Sequence, residues 1–109
     1  GRLRDAGISI LSGGDFGHQW TRHGTYAAEL ERYVELVGMH PTEALLTATH
    51  NMGAAAALDI GEVREGRLAD LLIVDGDPTT DITVLQQPER RRAVIKDGAF
   101  AHVNPAIYP

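Results

Sequence analysis

The sequence contains no cysteine in 109 residues, which excludes a disulfide framework, a zinc finger, an iron-sulfur centre and a thiol nucleophile. The redox compartment is thereby left open. Positive charge is in the minority: nine arginines and one lysine face 15 carboxylates, for a formal net charge of -5, and this argues against a nucleic-acid footprint. No twenty consecutive apolar residues occur, so a membrane-spanning helix is excluded. A charged-apolar-small leader is also missing from the start; secretion finds no support there, and a cytoplasmic setting is the expectation. The first residue is Gly1, and the expectation is a chain whose beginning is missing. What remains is one small domain or a piece of a larger one. At 43% hydrophobic residues, a chain of this length could bury roughly two-thirds of its unfolded surface.

Leu3 to Gly7 reads as a helix end, with Gly7 suited to the left-handed C′ position. A short apolar strand is expected over Ile8–Leu11, broken by Ser12-Gly13-Gly14. Asp15 then stands just past the strand's C-terminal end, and residues 16–24 form a loop without period. Tyr26, Leu30, Tyr33, Val34 and Val37 make one apolar stripe on a helix from about Thr25 to Val37, capped by Thr25 and ended by Gly38. Pro41 and Glu43 open a second helix through Thr49 with Ala44, Leu45 and Ala48 inward, and Asn51 starts a third. The alanine-rich run Gly53 to Leu58 should pack closely against a neighbour. Near residue 60 the character changes: Leu71–Val74 reads as a strand, and Arg92–Lys96, Asp97-Gly98 and Ala99–Val103 as a hairpin with a type I′ turn. There are no repeats and no low-complexity tract. Neither half closes by itself, because a lone strand, or a strand plus a hairpin, leaves backbone edges unpaired.

Asp15 is the leading candidate for chemistry, since α/β barrels keep catalytic groups where strands emerge into loops. A turn or helix-capping role is the alternative. His18 and His23 share its loop and could serve as ligands, proton carriers or substrate hydrogen-bond donors. Five residues apart is not a metal-ligand spacing, and a surface or structurally bonded His18 is the simpler reading. Trp20 would be a packing anchor or a pocket wall. Gly13, Gly14 and Gly17 lack the Gly-Lys-Ser/Thr of a phosphate loop. Asp75-Gly76-Asp77-Pro78-Thr79, after four apolar residues, resembles the first motif of haloacid-dehalogenase-type phosphatases, yet too little chain follows and Lys96 is the sole lysine. As a calcium loop the segment fails at Thr80 and Gln86. Asp75 and Asp77 are better taken as turn residues, and Arg90 to Arg92 as a solvated, aggregation-blocking start to a strand. His40, His50 and His102 receive no chemistry.

An ordered series of motifs adds a second line of argument. It comprises Ser12-Gly13-Gly14-Asp15, His23-Gly24 with Glu29-Leu30, Gly38-Met39-x-Pro41-x-Glu43-Ala44-Leu45 and Ala48-Thr49-x-Asn51. Gly61-x-Val63-x-x-Gly66-x-x-Ala69-Asp70-Leu71 and Val74-Asp75-Gly76-Asp77-Pro78 complete it. From about residue 7 to residue 103 the series resembles the C-terminal end of metal-dependent amidohydrolases, with the imidazolonepropionase and dipeptidase-like group as the expected branch. The resemblance implies an α/β fold: the C-terminal fragment of a (β/α)8 barrel, with strand eight and trailing helices in residues 1–60 and part of an accessory β-sandwich in residues 61–109.

The resemblance also implies that Asp15 is both a metal ligand and the catalytic base, and that His23 lies near the substrate. One or two divalent ions, zinc by expectation, would take their remaining ligands from outside this chain. Two positions depart from the family: Gly14 replaces Thr or Ser before the aspartate, and His40 replaces Thr or Ser at a helix cap. The implied function is hydrolysis of amide-like C-N bonds by a metal-activated water, with the fragment inert alone. Expected partners are the missing N-terminal barrel segment and a small amide or peptide-like substrate, with no nucleic acid or membrane; a homo-oligomer remains compatible. The alternatives are a non-catalytic structural or binding module and, more remotely, a DxDxT phosphatase.

Overall fold

The computed structural model describes residues 2–106; Gly1 and residues 107–109, assigned above to the two segments, lie outside it. Four short helices come first: α1 (Arg2–Asp5), α2 (Ala27–Glu35), α3 (Pro41–Ala48) and α4 (His50–Ala56). Three strands follow, β1 (Leu71–Val74), β2 (Arg91–Lys96) and β3 (Ala99–Val103), with 3₁₀ turns over Ile82–Gln86 and Pro88–Arg90 between β1 and β2. The strands form one antiparallel sheet in the order β1-β2-β3. Among the described residues no helix is long and apolar enough to cross a membrane.

Local chemistry accounts for most boundaries. Gly7 turns left-handed at φ +74°, and the Ile8 N–H reaches back to the Leu3 carbonyl (3.1 Å), closing α1 as expected. At the start of α3, His40 does the work of the usual Thr or Ser. Its Nδ1 accepts from the Thr42 N–H (3.3 Å), while its own N–H donates to Glu43 (2.7 Å), so Pro41 and Glu43 begin the helix in a capping box. The type I′ turn is present, with Asp97 at φ +50° and Gly98 at φ +78°. Asp70 secures it by accepting from the Asp97 N–H (2.8 Å) and pairing with Lys96, which holds its carboxyl below the usual carboxylate range.

Several expectations are corrected. Ile8–Leu11 has no ladder partner among the described residues and is not a strand there, because a strand exists only by pairing and none of these residues pairs with it. Helix α2 starts at Ala27, and the Thr25 hydroxyl donates backwards to the Arg22 carbonyl (2.7 Å) instead of capping. In α3 it is Thr47, 2% exposed, that turns inward, while Ala48 is exposed; the Thr47 hydroxyl is satisfied by the Ala44 carbonyl (2.7 Å). The alanines of α4 are exposed. Only Gly53 makes the close approach: a Cβ there would stand 2.3 Å from the Ile60 carbonyl oxygen. Arg90 and Arg92 are not merely solvated. Arg90 donates to the Asp75 carbonyl (3.1 Å), and Arg92 pairs with the Asp75 carboxylate (3.2 Å).

The core joins the two halves of the chain. Leu30 of α2, Ala44 of α3 and Ile82 of the first 3₁₀ turn are buried together, with Tyr33, Val34, Leu45 and Leu85 packed around them. Burying Leu30 or Ile82 contributes about 1.5–3 kcal/mol each. The Asp81 carboxylate, which accepts from the Thr83 N–H (3.0 Å) and hydroxyl (2.7 Å), starts the turn that points Ile82 inward. The radius of gyration, 14.7 Å, exceeds the ~13 Å of a compact chain this long. Trp20, Leu36 and Val63 are each about four-fifths exposed or more, so Trp20 anchors no packing among the described residues.

Candidate active site around Asp15

The segment from Ile10 to Gly13 has no ladder, so its backbone groups are taken up by helices. The Asn51 side chain of α4 donates to the Ile10 carbonyl (3.2 Å), and the Ser12 N–H donates to the Thr47 carbonyl of α3 (3.2 Å). From α2, both Glu29 carboxylate oxygens accept from the Gly13 N–H (3.0 and 3.1 Å). The Tyr33 hydroxyl donates to Glu29 Oε1 (2.6 Å) and lies 3.2 Å from the Leu11 carbonyl. Burial, then the hydrogen bond to Glu29 and its charge, push the Tyr33 phenol up to about 12.

At the end of this tethered segment stands Asp15, with left-handed backbone at φ +48° and a side chain 92% exposed. Its carbonyl accepts from the Thr21 hydroxyl (3.0 Å), and the Gly17 N–H donates to the Thr21 carbonyl (2.7 Å), so residues 15–21 close on themselves as a compact turn. His18 lies on this turn with Nε2 3.5 Å from Asp15 Oδ2, an exposed pair worth little energetically. Gly14 admits no side chain without displacement, because a Cβ would sit 3.0 Å from the Phe16 ring. That ring meets Tyr26 edge-on at 4.6 Å between centroids.

His23 is part of the same small aromatic cluster and does not reach Asp15. Its Nδ1 lies 2.9 Å from the Tyr26 hydroxyl, and its ring covers Gly17, where a Cβ would be 3.1 Å from Nε2. Among the described residues no three His, Asp or Glu side chains come together to hold a metal. Asp15 and His18 are two donors, short of the roughly three protein ligands a catalytic metal needs. The donor set therefore fits one part of a metal centre and does not complete it.

Sequence reasoning gave Glu29 and Tyr33 no role at this loop. Their i, i+4 spacing on α2 was a usable signal that the two would interact. Elsewhere, His50, Gly53, Ile60, Glu62 and Arg67 line a cleft of about 230 Å³ between α4 and the following loop. Its charges satisfy one another: His50 Nδ1 donates to Glu62 Oε1 (2.7 Å), and Arg67 pairs with Asp59 (2.6 Å). The hydrogen bond from His50 is the main reason the Glu62 carboxyl lies below its usual range.

A carboxylate displayed on a glycine-rich turn, with the segment before it fastened to three helices, is an arrangement that can offer a proton acceptor to a reactant. The chain belongs to the amidohydrolase family, whose members it matches over residues 4–100. It is 38% identical over 108 residues to an ochratoxinase of Aspergillus niger, a match that takes in 95% of this chain and 21% of that protein. The crystal structure of A. niger ochratoxinase superposes with a TM-score of 0.83 at 34% identity, covering 95% of this chain and 24% of that one. A prolidase complexed with N-methylphosphonate-L-proline superposes with a TM-score of 0.80 at 26% identity, covering 93% and 24%. The chain thus spans about a fifth of the length of the curated relatives it matches.

Proposed function

We propose that this chain is the C-terminal part of a metal-dependent hydrolase that cleaves amide-like C-N bonds in a small or peptide-like substrate. In this reading residues 1–60 are the last barrel strand and its trailing helices, and residues 61–109 belong to an accessory β-sandwich. The ladder partners of Ile8–Leu11 come from the rest of the polypeptide, as do the other metal ligands. The relationship to an ochratoxinase and a prolidase supports a hydrolytic reaction. The imidazolonepropionase and dipeptidase-like branch, zinc and a cytoplasmic location belong to this reading as expectations.

The observation that carries it is the placement of Asp15. Four tethers from α2, α3 and α4 end just before it, and its carboxylate is left open to a reactant. Asp15 would be a ligand of the divalent ion, whose Lewis acidity brings the pKa of water down to roughly 7. Its carboxylate takes the proton of water as the oxygen attacks the carbonyl carbon, then delivers that proton to the departing nitrogen as the C-N bond breaks. His23, held by Tyr26, contacts the substrate.

The test is Asp15→Asn in the full-length enzyme, with turnover, metal content and a thermal melt measured beside wild type. Loss of the base is worth about a hundredfold to ten-thousandfold in rate, and weakened metal binding adds to it. A turn-forming aspartate behaves otherwise, since Asn tolerates the left-handed region as well as Asp does. Activity within about threefold at equal metal content, under ~1 kcal/mol of barrier, would make Asp15 structural and overturn the proposal.

A further inference from the structure

Helix α2 does more at this site than bury Leu30. One turn of it, through Glu29 and Tyr33, fastens the loop at Leu11 and Gly13, two residues before the aspartate. We infer that Glu29 is a positioning residue, whose carboxylate, steadied by the Tyr33 hydroxyl, sets the backbone at Gly13 and through it the place of the Asp15 carboxylate. The inference rests on the reading of Asp15 as the base.

The geometry separates Glu29 from the other tethers. Those from Asn51 and Thr47 stop at Ile10 and Ser12, whereas Glu29 holds Gly13 with both oxygens. Glu29 Oε2 is also 3.6 Å from where a Gly14 Cβ would stand, so the loop lies directly against it. An ionised acceptor makes a shorter and roughly twofold stronger hydrogen bond than a neutral one. Tyr33, one helical turn further on, fixes the carboxylate's rotamer from α2 itself. Beyond Gly13 the turn is closed by its own residues, Thr21 and Gly17, so it moves as a unit with its attachment point. A reacting group displaced by about 1 Å loses on the order of a hundredfold in rate.

The experiment compares full-length wild type, Glu29→Gln, Tyr33→Phe, Asp15→Asn and the Asp15→Asn/Glu29→Gln double variant. Readouts are kcat, KM, a thermal melt and hydrogen exchange of the peptide spanning residues 11–16. Glu29→Gln keeps the side chain's shape but only one acceptor oxygen. It should lower kcat about tenfold to a hundredfold, with KM within about threefold, and speed exchange in the peptide. Tyr33→Phe should move kcat and exchange in the same direction by less. Once Asp15 is Asn there is no base left to misplace, so adding Glu29→Gln should change kcat less than about threefold. Unchanged exchange in Glu29→Gln overturns the clamp. Losses that multiply in the double variant overturn its action through Asp15, because Glu29 would then act independently. An Asp15→Asn enzyme of wild-type rate overturns the base assignment and the catalytic inference with it, and exchange then still reports separately on the clamp.

Discussion

Gly53 should be irreplaceable even by alanine, although it sits inside a helix where alanine is ordinarily better. By propensity alone, Gly53→Ala should stabilise α4 by about 0.8–1.0 kcal/mol. The structure opposes this. A Cβ at Gly53 would lie 2.3 Å from the Ile60 carbonyl oxygen and 3.1 Å from its carbon. Carbon-to-carbonyl-oxygen contacts settle at about 3.3–3.6 Å, so the 57–61 loop would have to retreat by roughly 1 Å. It is not free to do so. The Leu58 N–H donates to the Gly53 carbonyl (3.1 Å), and a Cβ at Gly61 would itself be 2.3 Å from the Thr49 carbonyl oxygen, so helix and loop touch backbone to backbone at two points. Overpacking of this kind costs about 1–3 kcal/mol, and each weakened backbone hydrogen bond adds ~1 kcal/mol. The net expectation is a loss of about 1–3 kcal/mol, opposite in sign to propensity. Thermal melts of the full-length protein should show Gly53→Ala below wild type, with Ala56→Gly at the exposed end of the same helix as a measure of propensity alone. A Gly53→Ala melting temperature at or above wild type would refute the reasoning.

Two further outcomes are expected. His23→Ala in the full-length enzyme should lower turnover about tenfold to a hundredfold, one hydrogen bond's worth, with metal content unchanged; lost metal would make His23 a ligand instead. Asp77 and Asp81 each accept from the N–H and hydroxyl of the threonine two residues on, and these hydrogen bonds, the hydroxyl's first, hold both carboxyls below their ordinary range. A carboxyl lowered by folding adds stability above its unfolded pKa, about 3.9, and that stability is lost as pH falls through the folded value. The melting-temperature advantage of wild type over Asp77→Asn should therefore be present at pH 7 and vanish in strong acid; an advantage that grows on acidification would contradict the assignment.

What the sequence made legible was short-range. The Asp97-Gly98 turn, Gly7 after α1 and the Pro41–Glu43 opening of α3 are written in adjacent residues, because positive φ and helix-end N–H groups impose local demands. Ile8–Leu11 reads as a strand because its composition encodes a preference for pairing, but the partner is not encoded beside it and no strand forms there among the described residues. The exchange of Thr47 for Ala48 on the inner face of α3 has a similar origin. A helix stripe can be counted from sequence, but the choice between two neighbouring small residues depends on which carbonyl, here that of Ala44, can satisfy a buried hydroxyl. At the candidate site, the turn that carries Asp15 was legible from its glycines. Glu29 was not, because its role comes from a fold that brings residues 13 and 29 together.

The left-handed backbone of Asp15 also bears on how this segment can evolve. Outside glycine such a conformation costs up to about 1–3 kcal/mol, less for Asp and Asn, and persists only where the surroundings enforce it. Glycine already occupies positions 13, 14 and 17, so a further glycine at 15 would be the residue of least strain. With Asp15 as the proposed base, selection for stability and selection for turnover pull this codon in opposite directions. A directed-evolution campaign scored on thermostability alone would be drawn toward glycine at this position, and on the proposed role of Asp15 its best-melting clones would have lost their base.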